Sequence, residues 1–155
     1  MTAGPETGAS RIVVGVDGSG PSQQALRWAA HFAAIFAARL EVLSCWEYPP
    51  SYGWAATAPE WNPEQDMAQV LDDTVQAVFG DQRPQSMQLR VLEGGAAKVL
   101  LDACDGAVML VVGSRGHGGF AGLLLGSVSA SVAEHSSCPV FIVHGDQAPP
   151  PARPA

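Results

Sequence analysis

The sequence predicts an α/β fold: a single-domain three-layer sandwich in which a parallel sheet lies between helices. Short apolar runs rich in β-branched residues alternate along the chain with stretches whose apolar residues recur every three or four positions. The first and fourth runs are apolar almost throughout, which is typical of central strands covered on both faces. A chain of 155 residues, 47% of them hydrophobic, is long enough for one such core.

The first strand and helix carry the clearest local signals. Residues 11–16 form a β-branched run, and the turn at residues 17–19 closes it. Ser19, with Pro21 just after it, is typical of a helix start, so we expect a helix that reaches about Ala38.

The same two periodicities predict the remaining elements. A second strand at residues 40–46 is followed by a loop at 47–63 that contains four prolines. The later elements are an amphipathic helix at 64–79, a strand at 88–92, a short helix at 96–104, a strand at 107–112, a helix at Ser127–His135 and a fifth strand at Val140–Val143.

We expect the ordered domain to span residues 11–145. Residues 1–10 and the proline-rich residues 146–155 lack apolar periodicity and are predicted to be disordered tails. The first ten residues lack the basic stretch and the apolar run that are typical of a signal peptide. The longest apolar stretch, at 28–38, is too short to cross a bilayer. The expected location is therefore the cytoplasm, without membrane association.

The charge balance argues against a basic surface for nucleic acid. The chain has 15 Asp and Glu against 8 Lys and Arg, and Lys98 is its single lysine. Any anion must therefore be held mainly by other groups, for which the 17 glycines are the evident source. Cys45, Cys104 and Cys138 lack metal-binding spacing and are interpreted as buried thiols in a reducing compartment.

A glycine-rich loop after the fourth strand is the most distinctive segment. Gly113 and Gly116 are separated by two residues, Gly116 and Gly126 by nine, and Ser127 follows directly. Gly126 and Ser127 open a helix whose N–H groups and dipole favour an anion, and the hydroxyls of Ser127 and Ser129 add donors. Because ligands of parallel sheets sit beyond the carboxyl ends of the strands, this loop predicts a phosphate site.

Other phosphate-binding motifs do not account for this loop. The sequence has no Walker P-loop, kinase motif set or GxSxG elbow. A GxGxxA pattern at residues 116–121 follows the fourth strand and lacks the acidic ribose partner of a dinucleotide fold. The alternative interpretation is a flexible loop anchored by residues 123–125.

At these residues the sequence resembles the universal stress protein family. The G-2x-G-9x-G-[S/T] pattern of the loop is similar to the ATP-binding signature of that family. The resemblance covers roughly residues 11–144, and its matching segments are 14–19, 110–116, 122–129 and 138–140.

The resemblance implies an adenine nucleotide alpha hydrolase-like fold with a five-stranded sheet in the order 3-2-1-4-5. It places Asp17 against adenine and ribose, the backbone of Cys45 against adenine, and the outer phosphates at the start of the helix at Ser127. The binding residues that it implies are Gly15, Val16, Asp17, Gly18, Ser19, Cys45, Gly113, Ser114, Arg115, Gly116, His117, Gly118, Gly119, Gly126, Ser127, Val128 and Ser129.

The resemblance also implies a cofactor and a partner. The cofactor is ATP, with Mg or Mn held mainly by the phosphates, and the partner is a second copy paired along Val140–Val143. Two positions depart from the family pattern. Val108 replaces a common acid, which predicts only a packing change, and His117 replaces a common Arg or Lys, which leaves Arg115 as the fixed cation of the loop.

Some side chains allow two interpretations. His117 is a candidate base, but it lacks a partner in the sequence and is interpreted as an exposed loop side chain. Asp17 is interpreted as a hydrogen-bond acceptor for the nucleotide and not as a catalytic base. The aromatic residues around the proline-rich loop form either a partner surface or lid, or a cover for the core edge; they are Trp46, Tyr48, Tyr52, Trp54 and Trp61.

The predicted function is an adenine-nucleotide-binding regulator in stress adaptation, read by an unknown partner protein. It is not a dedicated enzyme, because the phosphate loop stands without an evident base, Walker lysine or carboxylate pair. The alternatives are slow ATP hydrolysis, cyclic AMP binding and a structural dimer that has lost its ligand.

Overall fold

The structure, a computed structural model, describes residues 10–49, 61–116 and 125–151. Strands and helices alternate through these ranges, as the sequence predicts. The elements are β1 (Arg11–Gly15), α1 (Gly20–Phe36), β2 (Arg39–Trp46), α2 (Pro63–Phe79), β3 (Met87–Glu93), α3 (Ala96–Ala103), β4 (Met109–Gly113), α4 (Ser127–His135) and β5 (Val140–Val143).

The strands form one parallel sheet in the order β3-β2-β1-β4-β5, which confirms the expected topology. β1 is central, with Val13 beside Glu41 of β2 and Leu110 of β4. The chain winds outward from β1 to β3 and then returns to place β4 on the other side of β1. The carboxyl ends of β1 and β4 therefore flank the point where the winding reverses.

Helices cover both faces of this sheet. α1 and α2 pack over one face, where Ile12 and Val14 are fully buried. α3 and α4 pack over the other face, where Val13 and Leu110 are fully buried. Successive residues of β1 point to opposite faces, so its continuous apolar run fills both halves of the core. This is the predicted three-layer sandwich.

Several element ends differ from the prediction by one or two residues. β1 ends at Gly15, and β4 begins at Met109, because the Ala107 N–H closes the turn after α3 by donating to Cys104 O at 3.0 Å. α1 ends at Phe36 because Ala37 adopts a left-handed conformation with φ 50°. The helix start at Ser19 is confirmed: its side chain accepts a hydrogen bond from the Ser22 N–H.

The predicted limits of the domain remain a prediction. Residues 1–9 and 152–155, which belong to the two expected tails, lie outside the described residues, as do residues 50–60 of the proline-rich loop. Of the described helices, none has the length and apolar character that crossing a membrane requires.

Candidate functional site

A cavity of about 430 Å³ lies at the carboxyl edge of the sheet. We call it the crevice. The ends of β1, β2 and β4 form its floor, and three helices begin beside it, contributing Ser22 of α1, Ala96 of α3 and Ser127 of α4. Helix N-termini carry partial positive charge and free N–H groups. These groups can stabilise an anion without lysine.

Most of the predicted binding residues that the structure describes line the crevice. They are Gly15, Val16, Asp17, Cys45, Gly113, Arg115, Gly116, Gly126, Ser127, Val128 and Ser129. Gly18, Ser19 and Ser114 belong to the segments that hold this lining in place. His117, Gly118 and Gly119 lie outside the described residues.

The turn after β1 is built by its own side chains. Asp17 Oδ1 accepts hydrogen bonds from the Ser19 N–H at 2.9 Å and from the Ser19 hydroxyl at 2.5 Å. Ser19 Oγ accepts in turn from the Ser22 N–H at 3.3 Å. Gly18 has φ 86°, a left-handed conformation that favours glycine. The Asp-Gly-Ser sequence thus orients the Asp17 carboxylate and begins α1 at the same time.

Gly116 brings the glycine-rich loop against this turn. A Cβ placed on Gly116 would collide with Asp17 Oδ2, whose partner oxygen is engaged by Ser19. A larger residue would therefore displace the carboxylate from its hydrogen bonds. The two segments that the sequence places on either side of the crevice are in direct contact.

Ser114 ties the start of α4 to the end of β4. The Ser114 N–H donates to Val143 O at 2.8 Å, and Ser114 O accepts from the Gly126 N–H at 2.7 Å and from the Ser129 hydroxyl at 2.8 Å. The Ser129 hydroxyl, expected as a phosphate donor, is thus used to hold the loop. Its contribution to an anion would come from the backbone.

The first turn of α4 presents backbone N–H groups to the crevice. The Ala130 N–H bonds to Gly126 O at 2.9 Å, so the amides that precede Ala130 in α4 lie before the first helical hydrogen bond. No acidic side chain lies in this turn, and its cap, Gly126, supplies no side-chain acceptor. An exogenous anion would meet no competing carboxylate within the turn.

The lining changes character across the crevice. Leu43, Cys45 and Ala96 make the β2 and α3 side apolar, whereas Arg115 and Ser127 make the β4 and α4 side polar. Burial, and then the negative charge of Glu47, raises the pKa of the Cys45 thiol to about 11. Cys45 is therefore neutral at pH 7. One side suits a flat apolar group, and the other suits an anion.

Seven residues that line the crevice are not among the binding residues predicted from the sequence. The additional lining residues are Ser22, Leu43, Ala96, Leu100, Val112, Leu125 and Ala130. Leu43 lies two positions before Cys45 and therefore on the same face of β2. Ala96 and Leu100 are four apart on one face of α3. These spacings are visible in the sequence, but they indicate the site only once α3 is known to lie beside it.

Comparison with known proteins supports the sequence resemblance. The profile of the universal stress protein family matches residues 8–144. A universal stress protein of Mycolicibacterium smegmatis is 34% identical over 142 residues, which cover 87% of this chain and 48% of that protein. The chain thus spans about half the length of the curated relatives it matches.

Solved structures share the fold. A universal stress protein in complex with cAMP is 30% identical with a TM-score of 0.64, covering 88% of this chain and 97% of that one. UspA from Lactobacillus plantarum is 19% identical with a TM-score of 0.71, covering 87% of this chain and 97% of that one. From the family profile that matches residues 8–144 and the 30% identical structure that it covers almost completely, this chain belongs to the universal stress protein family.

Proposed function

We propose that this chain binds an adenine nucleotide in the crevice, with ATP as its principal ligand, and that the bound state regulates a partner protein under stress. One observation carries the proposal: an apolar slot and a helix start without acidic residues line the same cavity. The 30% identical relative described in complex with cAMP supports a nucleotide as the ligand class.

Each part of a nucleotide has a counterpart in the crevice. The adenine ring lies against Leu43, Cys45 and Ala96, and the Asp17 carboxylate accepts a hydrogen bond from the ribose or the base. The phosphates follow the backbone of residues 113–116 to the first turn of α4, where N–H groups and the dipole stabilise negative charge. Arg115 adds a cation.

A divalent cation such as Mg or Mn accompanies the phosphates in this proposal. Over residues 10–49, 61–116 and 125–151, no group of three or more His, Cys, Asp or Glu side chains comes together. The donor set of this part of the chain therefore suits a cation carried by phosphate oxygens and water, as Mg²⁺ is in many nucleotide sites.

The proposal extends to assembly and location. β5 is an edge strand of the sheet, so its outer backbone groups are available to a second copy along Val140–Val143. We place this homodimer in the cytoplasm. In this proposal the homodimer acts by presenting a surface that depends on the bound nucleotide and that another protein recognises. It does not act by forming a chemical product.

Substitution of Ser127 tests the phosphate position. Ser127 is exposed at the first position of α4, where an acidic side chain stabilises the helix dipole and therefore preserves the fold. Ser127→Asp adds a negative charge beside the phosphates, and Ser127→Asn is its uncharged control. Two like unit charges about 4 Å apart repel each other by about 1 kcal/mol in bulk water and by about 4 kcal/mol near a protein surface.

Isothermal titration should show ATP binding to the wild type and the Asn variant and at least about tenfold weaker binding to the Asp variant, which corresponds to ~1.4 kcal/mol. Adenosine, which has no phosphate, should bind both variants equally. Equal ATP affinity of the Asp and Asn variants would show that the phosphates lie elsewhere. A folded wild type that binds neither ATP nor AMP would refute the proposal.

Cyclic AMP is the second candidate ligand, because the relative described with it covers nearly the same span. Its single phosphate charge predicts a smaller effect of Ser127→Asp than ATP shows. Competition between the two nucleotides on the wild type ranks them directly.

A further inference from the structure

Two thiols meet at the edge of the sheet opposite the crevice. Cys104 caps the end of α3, and Cys138 lies just before β5, where Pro139 O accepts from the Leu110 N–H at the start of β4. One hydroxyl joins them: Ser136 Oγ lies 3.4 Å from Cys104 Sγ and 3.6 Å from Cys138 Sγ. Because both sulfurs contact the same oxygen, they lie no more than 7.0 Å apart.

The surroundings of the two sulfurs are unequal. Burial alone would raise the pKa of the Cys104 thiol, but its contacts with the hydroxyls of Ser136 and Ser137, at 3.4 and 3.6 Å, lower the pKa below the ordinary value. The reduced thiol itself donates to Leu101 O at 3.1 Å. Burial raises the pKa of Cys138, the Ser136 hydroxyl and the Arg11 guanidinium lower it, and a charge on Cys104 raises it further. Of the two thiols, Cys104 therefore ionises more readily than Cys138.

The side of this pair nearest to solvent is the turn at Ser136 and Ser137. Cys104 has no exposed surface, but its sulfur lies 3.6 Å from Ser137 Oγ, and Ser137 is exposed. Cys138 is itself partly exposed. The turn at Ser136 and Ser137 is therefore the cover that must open slightly to admit an oxidant as small as a peroxide.

We propose that Cys104 and Cys138 form a reversible oxidation site, which peroxide converts into an intramolecular disulfide. The Cys104 thiolate attacks the peroxide: an S–O bond forms, the O–O bond breaks and hydroxide leaves, giving a sulfenic acid. Cys138 then attacks the Cys104 sulfur. The S–S bond forms, the S–O bond breaks, and the hydroxyl leaves as water with the Cys138 proton.

The third cysteine provides an internal comparison. Cys45 lies in the crevice at the carboxyl edge of the sheet, and burial followed by the charge of Glu47 raises its pKa to about 11. A neutral thiol is a poor nucleophile toward peroxide. Cys45 should therefore stay reduced under conditions that couple the other two.

Mass spectrometry of the full-length protein tests the site. The protein is treated with hydrogen peroxide, its remaining thiols are alkylated, and trypsin cleavage after Lys98 and Arg115 places the three cysteines on separate peptides. We expect an intact mass lower by two hydrogens before alkylation, one alkylated cysteine, and a linked peptide pair that contains Cys104 and Cys138. Dithiothreitol should restore three alkylatable thiols.

Cys138→Ser and Cys45→Ser complete the experiment. Cys138→Ser removes the resolving thiol at a partly exposed position, so Cys104 should accumulate sulfenic acid that dimedone traps. In Cys45→Ser, the linked peptide should form as in the wild type. Circular dichroism before oxidation verifies that each variant is folded. Three alkylatable thiols after peroxide, a link that involves Cys45, or a disulfide only between two chains would each overturn the proposal.

Discussion

Substitution of Gly113 by alanine tests the close packing of β4 against the start of α1. Gly113 ends β4, beside Val143 of β5. A Cβ at Gly113 would lie 2.8 Å from Pro21 Cβ, 2.9 Å from Pro21 C and 3.0 Å from Pro21 O. Two of these atoms are backbone, so a change of rotamer cannot relieve the contact.

The cost follows from what must move. Neither β4, paired on both sides, nor α1, whose Ser22 and Leu26 are buried, can shift freely. Overpacking of a core usually costs about 1–3 kcal/mol, and backbone contacts place Gly113→Ala in the upper half of that range. Alanine also lowers the conformational entropy of the unfolded chain, which stabilises the folded state by about 0.4–1 kcal/mol. The net loss of stability is therefore about 2 kcal/mol.

Thermal unfolding measures this loss. For a chain of this size, about 2 kcal/mol corresponds to a Tm lower by roughly 4–8 °C. Gly126→Ala is the matched control, because its Cβ meets nothing closer than 3.6 Å and its φ of −73° suits alanine. Alanine caps a helix less well than glycine, but it also lowers the entropy of the unfolded chain. These two effects on stability nearly cancel, so the Tm of Gly126→Ala should change little. A Gly113→Ala protein as stable as Gly126→Ala would refute the packing argument.

Three further predictions concern single side chains. Ser129→Ala should lower the free energy of unfolding by only about 1 kcal/mol in urea titrations, because Ser114 O keeps its backbone hydrogen bond; a loss above about 3 kcal/mol would contradict this. Lys98→Gln should leave ATP affinity unchanged in equilibrium titrations, since Lys98 is 81% exposed and paired with Asp102; a large loss would mean that the crevice is misplaced. The Cys45 thiol is protonated well below pH 9 in both states, and its pKa is raised from 9.0 to about 11 on folding. The wild type should therefore lose more stability than Cys45→Ser between pH 9 and pH 11.

Local signals made most of the fold predictable. The β-branched run of β1 and the Ser19 cap of α1 depend on neighbouring residues, so they are visible in one sequence. Element ends were less predictable, because they depend on single hydrogen bonds such as that from the Ala107 N–H to Cys104 O. The spacing of Gly113, Gly116, Gly126 and Ser127 singled out the loop, and the resemblance supplied the strand order.

The alternation of strands and helices, the turn after β1 and the glycine spacing can be recognised from the sequence, because each arises from residues close together in the chain. Tertiary packing, in contrast, sets which remote residues touch. It placed Gly116 against Asp17, directed the Ser129 hydroxyl to Ser114 O, and joined Cys104 to Cys138 at the opposite edge. Such contacts depend on how the layers pack, and no local pattern specifies the distance between elements that the chain brings together from far apart.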